Sequence, residues 1–188
     1  RAAKKIMVNI DPTEINKVKF IIDLPISANV RDLINAMIKQ KDFVRGQNRS
    51  EWINKCREWK LKYPFVRSEH YDNKSAVSVY AFSDTLSDLL DKNCIVLSGS
   101  SGNACELFLT AFKVKHGQRV FHNKGTGAMG LAQPSAIGAC LASGKQPTIC
   151  IDGDGGFQLN IQELETVRRL NLPIKFFVMN NQGYASIR

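Results

Sequence analysis

An α/β fold, with a parallel sheet covered by helices on both faces, is predicted by three features of this 188-residue sequence. From about Ser75 onward, segments of helical period alternate with short apolar runs. Those runs, at 94–98, 148–151 and 174–179, are mostly apolar, as strands buried on both faces are. The turns that follow them are rich in glycine or asparagine, as at Gly99-Ser100-Ser101-Gly102, Gly153-Asp154-Gly155-Gly156 and Asn180-Asn181-Gln182-Gly183.

Taken in order, residues 5–10 (KIMVNI) read as a buried strand that Asp11-Pro12 ends. Asn29 or Asp32 then starts a helix with Val30, Leu33, Ile34, Met37 and Ile38 on one face. Residues 41–74 are polar. They hold one helical pattern at 51–62, closed by Tyr63-Pro64, whose Trp52 and Trp59 are expected to pack a connector against a surface. An amphipathic helix at 79–90 precedes the strand at 94–98, and a second helix spans 102–112. A strand at 118–122 follows, then a helix of small residues at 134–143 with Pro134 in its first turn and Gly144 beyond its end. The strand at 148–151, a helix at 161–170 and the strand at 174–179 complete the pattern. Asn160, with Glu163 three residues on, is expected to cap that last helix. The expected division is 1–40, the tail of a preceding α/β domain; 41–74, a connector; and 75–188, a ligand-binding α/β domain. The opening at Arg1 and the stop at Arg188 soon after a strand suggest a piece of a longer polypeptide.

Composition excludes several classes. A hydrophobic fraction of 44% and a charged fraction of 23% do not suit a disordered or fibrous chain. No apolar run approaches the ~20 residues a membrane span requires, and no signal segment opens the chain. Five widely spaced cysteines (Cys56, Cys94, Cys105, Cys140, Cys150) read as reduced thiols in a cytoplasmic protein. The net charge of +9 is uneven: residues 1–75 carry 16 basic and 9 acidic side chains, and residues 76–188 carry 10 and 8. With no block of Lys and Arg, the excess reads as a solvated face. A basic nucleic-acid module in 1–75 is the competing reading.

The stretch from Ile151 to Tyr184 carries the chemistry. A strand–helix–strand crossover makes its two strands parallel, with their carboxyl ends at one edge of the sheet. Asp154 and Asn181 therefore emerge side by side in the crevice where such sheets bind ligands. A carboxylate, an amide oxygen and loop carbonyls are hard donors, suited to Mg²⁺ that shares its shell with phosphate oxygens. Glycines permit close backbone approach, and the amides of Gly155 and Gly156 are available to the same phosphates, helped by a helix amino end. A metal–diphosphate site at the sheet edge is the expectation.

Gly153-Asp154-Gly155, followed after 24 residues by Asn180-Asn181, resembles the thiamine-diphosphate signature of the acetolactate synthase and pyruvate decarboxylase family. Residues 125–138 (GTGAMGLAQPSAIG) resemble that family's glycine-rich loop and following helix, and 157–164 (FQLNIQEL) and 180–184 (NNQGY) are acetolactate-synthase-like. Residues 1–40 resemble the tail of the family's central domain, and 52–64 its connector. The resemblance implies that Asp154, Asn181 and the Gly183 carbonyl bind Mg²⁺. It further implies that Gly102, Asn103, Gly127, Met129, Gly153, Gly155, Gly156 and Tyr184 surround thiamine diphosphate, with Met129 bending the cofactor into a V and Gly127 and Met129 offering backbone groups to its aminopyrimidine. The implied reaction decarboxylates a small 2-oxo acid and protonates the product or passes it to a second carbonyl compound. The cofactor-activating glutamate is expected on a separate amino-terminal domain, with the cofactor shared between subunits of a homo-oligomer, so that no catalytic residue lies in this chain and the chain alone is inactive. A cofactor-binding domain that has lost catalysis and serves assembly or regulation is the alternative.

Two positions depart from the family pattern. Gly156 stands where many members have a diphosphate-binding serine, and Gly102-Asn103-Ala104 where acetolactate synthases carry Gln and His. The G-x-G-x-x-G match at Gly125–Gly130 is not a dinucleotide fingerprint, because Pro134 would break a helix that began inside it. His70, His116 and His122 have no partners at metal spacing, and Lys124 reads as a solvated side chain.

Overall fold

The computed structural model describes residues 4–44, 46–72, 75–100, 102–123 and 125–184; the expectation for Lys124 lies outside them. The chain divides into two units, 1–58 and 59–188. In the first, β1 (Ile6–Asn9) pairs in parallel with β2 (Leu24–Ser27) through α1 (Pro12–Asn16). Asp11 caps α1 by accepting from Thr13 N at 2.8 Å, with Pro12 in the first turn where its missing N–H costs nothing. In α2 (Val30–Lys39) the cap is Asn29, which accepts from Arg31 N at 2.9 Å. Among the described residues of this unit, only Ile15 is buried. β1 is therefore not the buried strand expected, because a two-stranded sheet leaves most of both faces open. α3 spans Ser50–Lys62, and its Trp52 and Trp59 are 59% and 42% exposed.

The second unit is the α/β domain predicted. Its sheet has the order β4-β3-β5-β6, all parallel, from β3 (Ile95–Ser98), β4 (Val120–His122), β5 (Thr148–Gly153) and β6 (Ile174–Met179). Val96, Ile149 and Ile151 face one side, where they meet Leu86 of α4 (Val79–Leu89) and Phe108 of α5 (Phe108–Ala111). The alternate residues Leu97 and Cys150 face the other side, against Ala132 and Ala136 of α6 (Ala132–Ala142). Right-handed crossovers require this division: the step from β3 to β4 puts α5 on one face, and the return to β5 puts α6 on the opposite one. Inside α4, the buried Ser83 and Ser87 hydroxyls donate to the carbonyls of Val79 and Ser83, each at 2.6 Å, so neither is left unsatisfied. Gly144 ends α6 at φ +74°, and Lys145 N reaches back to Cys140 O at 2.8 Å.

Local departures from the expected pattern cluster around the sheet's carboxyl edge. Residues 102–107 form a π-helical turn before α5, in place of one continuous helix. The chain enters α7 (Asp154–Gln158) directly from β5, and α8 (Glu163–Arg169) begins later than expected. The expected capping box is absent. Gln162 occupies the cap position of α8 without a side-chain bond, while the Asn160 side chain turns away to Gly130.

Candidate functional site

In the order β4-β3-β5-β6 the direction of winding reverses between β3 and β5, so the loops beyond these strands part and leave a crevice. The strands themselves meet closely just below it. A Cβ at Gly99 would lie 2.1 Å from Asp152 Oδ1, so only glycine lets β3 end there.

A cleft of about 290 Å³ opens above this contact. Its floor is Gly153, Asp154, Gly155 and Gly156, at the end of β5 and the start of α7. The loop after β6 adds Asn181, Gly183 and Tyr184; the π-helical turn adds Gly102 and Asn103; the glycine turn before α6 adds Gly127 and Met129. All eleven residues singled out from the sequence thus line one cleft. Met129 is 39% exposed at its wall, which argues against core filling as its purpose. Ser100 and Met179 line the cleft too and had not been singled out. Their signals were position alone: each lies in or beside a turn already assigned to the sheet edge. A larger cleft of about 470 Å³ between β4 and α6 shares Ser100, but small and apolar residues dominate its lining and no carboxylate reaches it.

The two asparagines after β6 have separate tasks. Asn180 Oδ1 accepts from Gln182 N at 2.9 Å and shapes the turn, leaving Asn181 to face Asp154. With its amide nitrogen inward, Asn181 donates to Asp154 Oδ1 at 3.3 Å and to Gly183 O at 2.5 Å. With its oxygen inward, the Asn181 amide, the Asp154 carboxylate and the Gly183 carbonyl would present three oxygens together, which a bound cation would satisfy. The donor set of carboxylate, amide oxygen and backbone carbonyl therefore fits Mg²⁺. Among the described residues, no cluster of three His, Cys, Asp or Glu side chains offers an alternative metal site. Tyr184 closes the arrangement from above. Its ring lies on Gly155, and its hydroxyl accepts from Gln158 Nε2 at 3.1 Å.

Asp152 is a further residue that sequence reasoning missed. It is 2% exposed, accepts from Gly153 N at 2.9 Å through Oδ1, and has no partner for Oδ2. Burial pushes its carboxyl up to about 6, against the pull of that N–H. Burial, and then the Asp152 charge, push the neighbouring Cys150 up to about 12, so that it stays an inert thiol. An acidic residue inside an otherwise apolar strand was the available signal. The five cysteines are free. Of the histidines, His70 stacks on Tyr80 with ring centroids 4.8 Å apart and accepts from Arg67 N, a structural role.

Residues 100–188 match the family model described as thiamine pyrophosphate enzyme, C-terminal TPP binding domain. A probable acetolactate synthase large subunit of Methanococcus aeolicus is 31% identical over 96% of this chain and 32% of its own length. The acetolactate synthase large subunit of Cyanidium caldarium is 30% identical over 99% of this chain and 31% of its own. For the isozyme 1 large subunit of Escherichia coli K12 the figures are 29%, 96% and 31%. The chain thus spans about a third of the length of these relatives. Residues 100–188 are thus similar to the C-terminal TPP binding domain of thiamine pyrophosphate enzymes, and nearly the whole chain is similar to about a third of acetolactate synthase large subunits.

Proposed function

We propose that this chain is the diphosphate- and Mg²⁺-binding part of a thiamine-diphosphate-dependent enzyme acting on small 2-oxo acids, by decarboxylation and transfer to a second carbonyl compound. The observation that carries the reading is the meeting of the Asp154 carboxylate, the Asn181 side-chain amide and the Gly183 carbonyl in a cleft that Gly127 and Met129 also line. Asp154 brings the negative charge that holds the cation, and Asn181 and Gly183 complete the protein's share of its shell. Gly155 and Gly156 present backbone amides to the diphosphate without side chains in the way. Gly156 does so without the hydroxyl many relatives have, so the amide alone makes that contact. Met129 places an apolar side chain beneath the two rings, while Gly127 offers its backbone to the pyrimidine. When bound, thiamine diphosphate supplies a nucleophilic thiazolium carbon and an electron sink for the loss of CO₂.

Domain limits at 1–40, 41–74 and 75–188, a cytoplasmic setting and a homo-oligomer that completes the site with a glutamate from elsewhere belong to the same proposal. Among the described residues, no helix is long and apolar enough to cross a membrane. Isothermal titration of the full-length protein tests the proposal. Thiamine diphosphate should bind only with Mg²⁺ present, and Asp154→Ala should weaken it by at least about tenfold through loss of the charged ligand. Binding that ignores both chelation and Asp154→Ala would overturn the assignment.

A further inference from the structure

The cleft is built from two separate segments. Asp154 to Gly156 follow β5, whereas Gly127 and Met129 lie in the turn before α6. Thiamine diphosphate would have to touch both, so their separation sets whether diphosphate and rings can be held together. Two side-chain amides bridge these segments, running in opposite directions. Asn160, just past α7, donates Nδ2 to Gly130 O at 2.7 Å. Gln133, in the first turn of α6, donates Nε2 to Phe157 O at 2.5 Å.

Both residues forgo easier roles. Asn160 stands where the sequence favours a helix cap, yet α8 has no side-chain cap and Asn160 Oδ1 instead accepts from Gln162 Nε2 at 2.8 Å. Gln133 is fully buried and its Oε1 has no partner, an expense that an apolar residue would avoid. The turn is fitted to the bridge as well. Gly130 sits at φ +80°, and a Cβ there would lie 3.0 Å from Asn160 Nδ2. On its other side, Gly127 N donates to Asn123 O at 2.9 Å.

We infer that Asn160 and Gln133 are positioning residues that hold the turn carrying Gly127 and Met129 at a fixed distance from the metal–diphosphate wall. Neither lines the cleft. Their effect on cofactor rests on the function proposed above; their effect on the turn does not.

The test uses the full-length protein with Asn160→Asp, which keeps the size but sets a carboxylate oxygen against the Gly130 carbonyl, and Gln133→Leu, which keeps the volume and removes the donor. Two readouts are needed. In ligand-free protein, hydrogen–deuterium exchange across residues 125–131 should quicken in both variants and stay unchanged in an Arg168→Ala control. In titrations with Mg²⁺, thiamine diphosphate should bind about tenfold more weakly to each variant. Inorganic diphosphate, which needs only the Asp154 side, should bind as to the parent. A residue that merely stabilised the fold would weaken both ligands alike. Unchanged exchange at 125–131, equal weakening of both ligands, or unaltered thiamine diphosphate binding would each overturn the inference. If the parent bound neither ligand, the proposed function would fall, and the exchange result alone would still decide whether the bridges hold the turn.

Discussion

Gly155→Ala isolates the role of Tyr184 in holding the metal loop. A Cβ at position 155 would lie 2.4 Å from Tyr184 Cε1, 2.9 Å from Cδ1 and 3.2 Å from Cζ. Carbon atoms rest at about 3.5 Å, so the ring has to retreat by about 1 Å. The ring is not free to do so, because its hydroxyl is bonded to Gln158 Nε2 at 3.1 Å, and a 1 Å retreat takes that bond to about 4 Å. Its loss costs about 1 kcal/mol, or roughly fivefold in affinity if the bond matters only in the bound form. The ring also carries the chain of its neighbour Gly183, whose carbonyl faces Asn181. A misplacement of about 1 Å at a site that demands near-octahedral ligands costs up to about a hundredfold. The expected weakening of Mg²⁺ binding, titrated at saturating thiamine diphosphate, therefore lies between about fivefold and a hundredfold. The backbone amide of residue 155 survives the substitution, so the effect is steric. Adding Tyr184→Ala should relieve the clash and bring the double variant to the level of Tyr184→Ala alone, a non-additive cycle. Parent-like Mg²⁺ affinity in Gly155→Ala, or a double variant as weak as the product of the two single effects, would refute the reasoning.

At the base of the cleft, Gly99→Ala should lower stability by about 1–3 kcal/mol by overpacking, since its Cβ would meet the Asp152 carboxylate at 2.1 Å and the Asp152 Cα at 3.3 Å. Urea denaturation with an unchanged midpoint would show that the two strands can part without cost. Away from the cleft, Asp84 is bonded by Lys113 Nζ at 2.6 Å and by the Tyr71 hydroxyl at 2.6 Å. The Lys113 bond first, and the Tyr71 bond second, hold its carboxyl below the ordinary 3.8. A depressed folded value means stability that is present above the unfolded value and lost as pH falls through the folded one. Asp84→Asn should thus lower stability by about 0.5–1.5 kcal/mol at pH 7, a modest figure because Lys113 is largely exposed, and the gap to the parent should close in acid below that value. A gap of the same size at both extremes, followed by thermal denaturation, would rule out an ionic origin.

The sheet was legible because its strands are mostly apolar, and the order of crossovers then forces their carboxyl ends to one edge. β6 falls at Ile174–Met179 as expected, and Asp154 meets Asn181 as the parallel crossover requires. β5 ran two residues further than its apolar run, to Gly153, because Asp152 continues the strand despite its charge. Apolar pattern marks such a residue only as a break in the run, because a buried carboxylate has the same letter as a solvated one. In the first unit the pattern located α2 and its cap, yet Ile34, Met37 and Ile38 remain exposed on that helix. A stripe of apolar residues records that a face is built for burial and says nothing about what covers it.

Asn160 marks the boundary of what local pattern can decide. An asparagine three residues ahead of a glutamate satisfies the chemistry of a helix cap, and it equally satisfies the chemistry of a tether, because one donor and one acceptor serve either purpose. Choosing between them depends on whether a lone carbonyl stands within reach, and Gly130 O lies thirty residues away in sequence. The same holds for Gln133 with Phe157 and for Tyr184 with Gly155, contacts made between loops whose paths no crossover rule prescribes. Strand topology therefore brought every residue of the cleft to one edge, while the spacing between its walls was left to side chains that resemble ordinary caps, polar helix starts and surface aromatics. In a site of this kind, the residues that set geometry are concealed by the very ordinariness of their alternatives, and departures from expected capping are where to look for them.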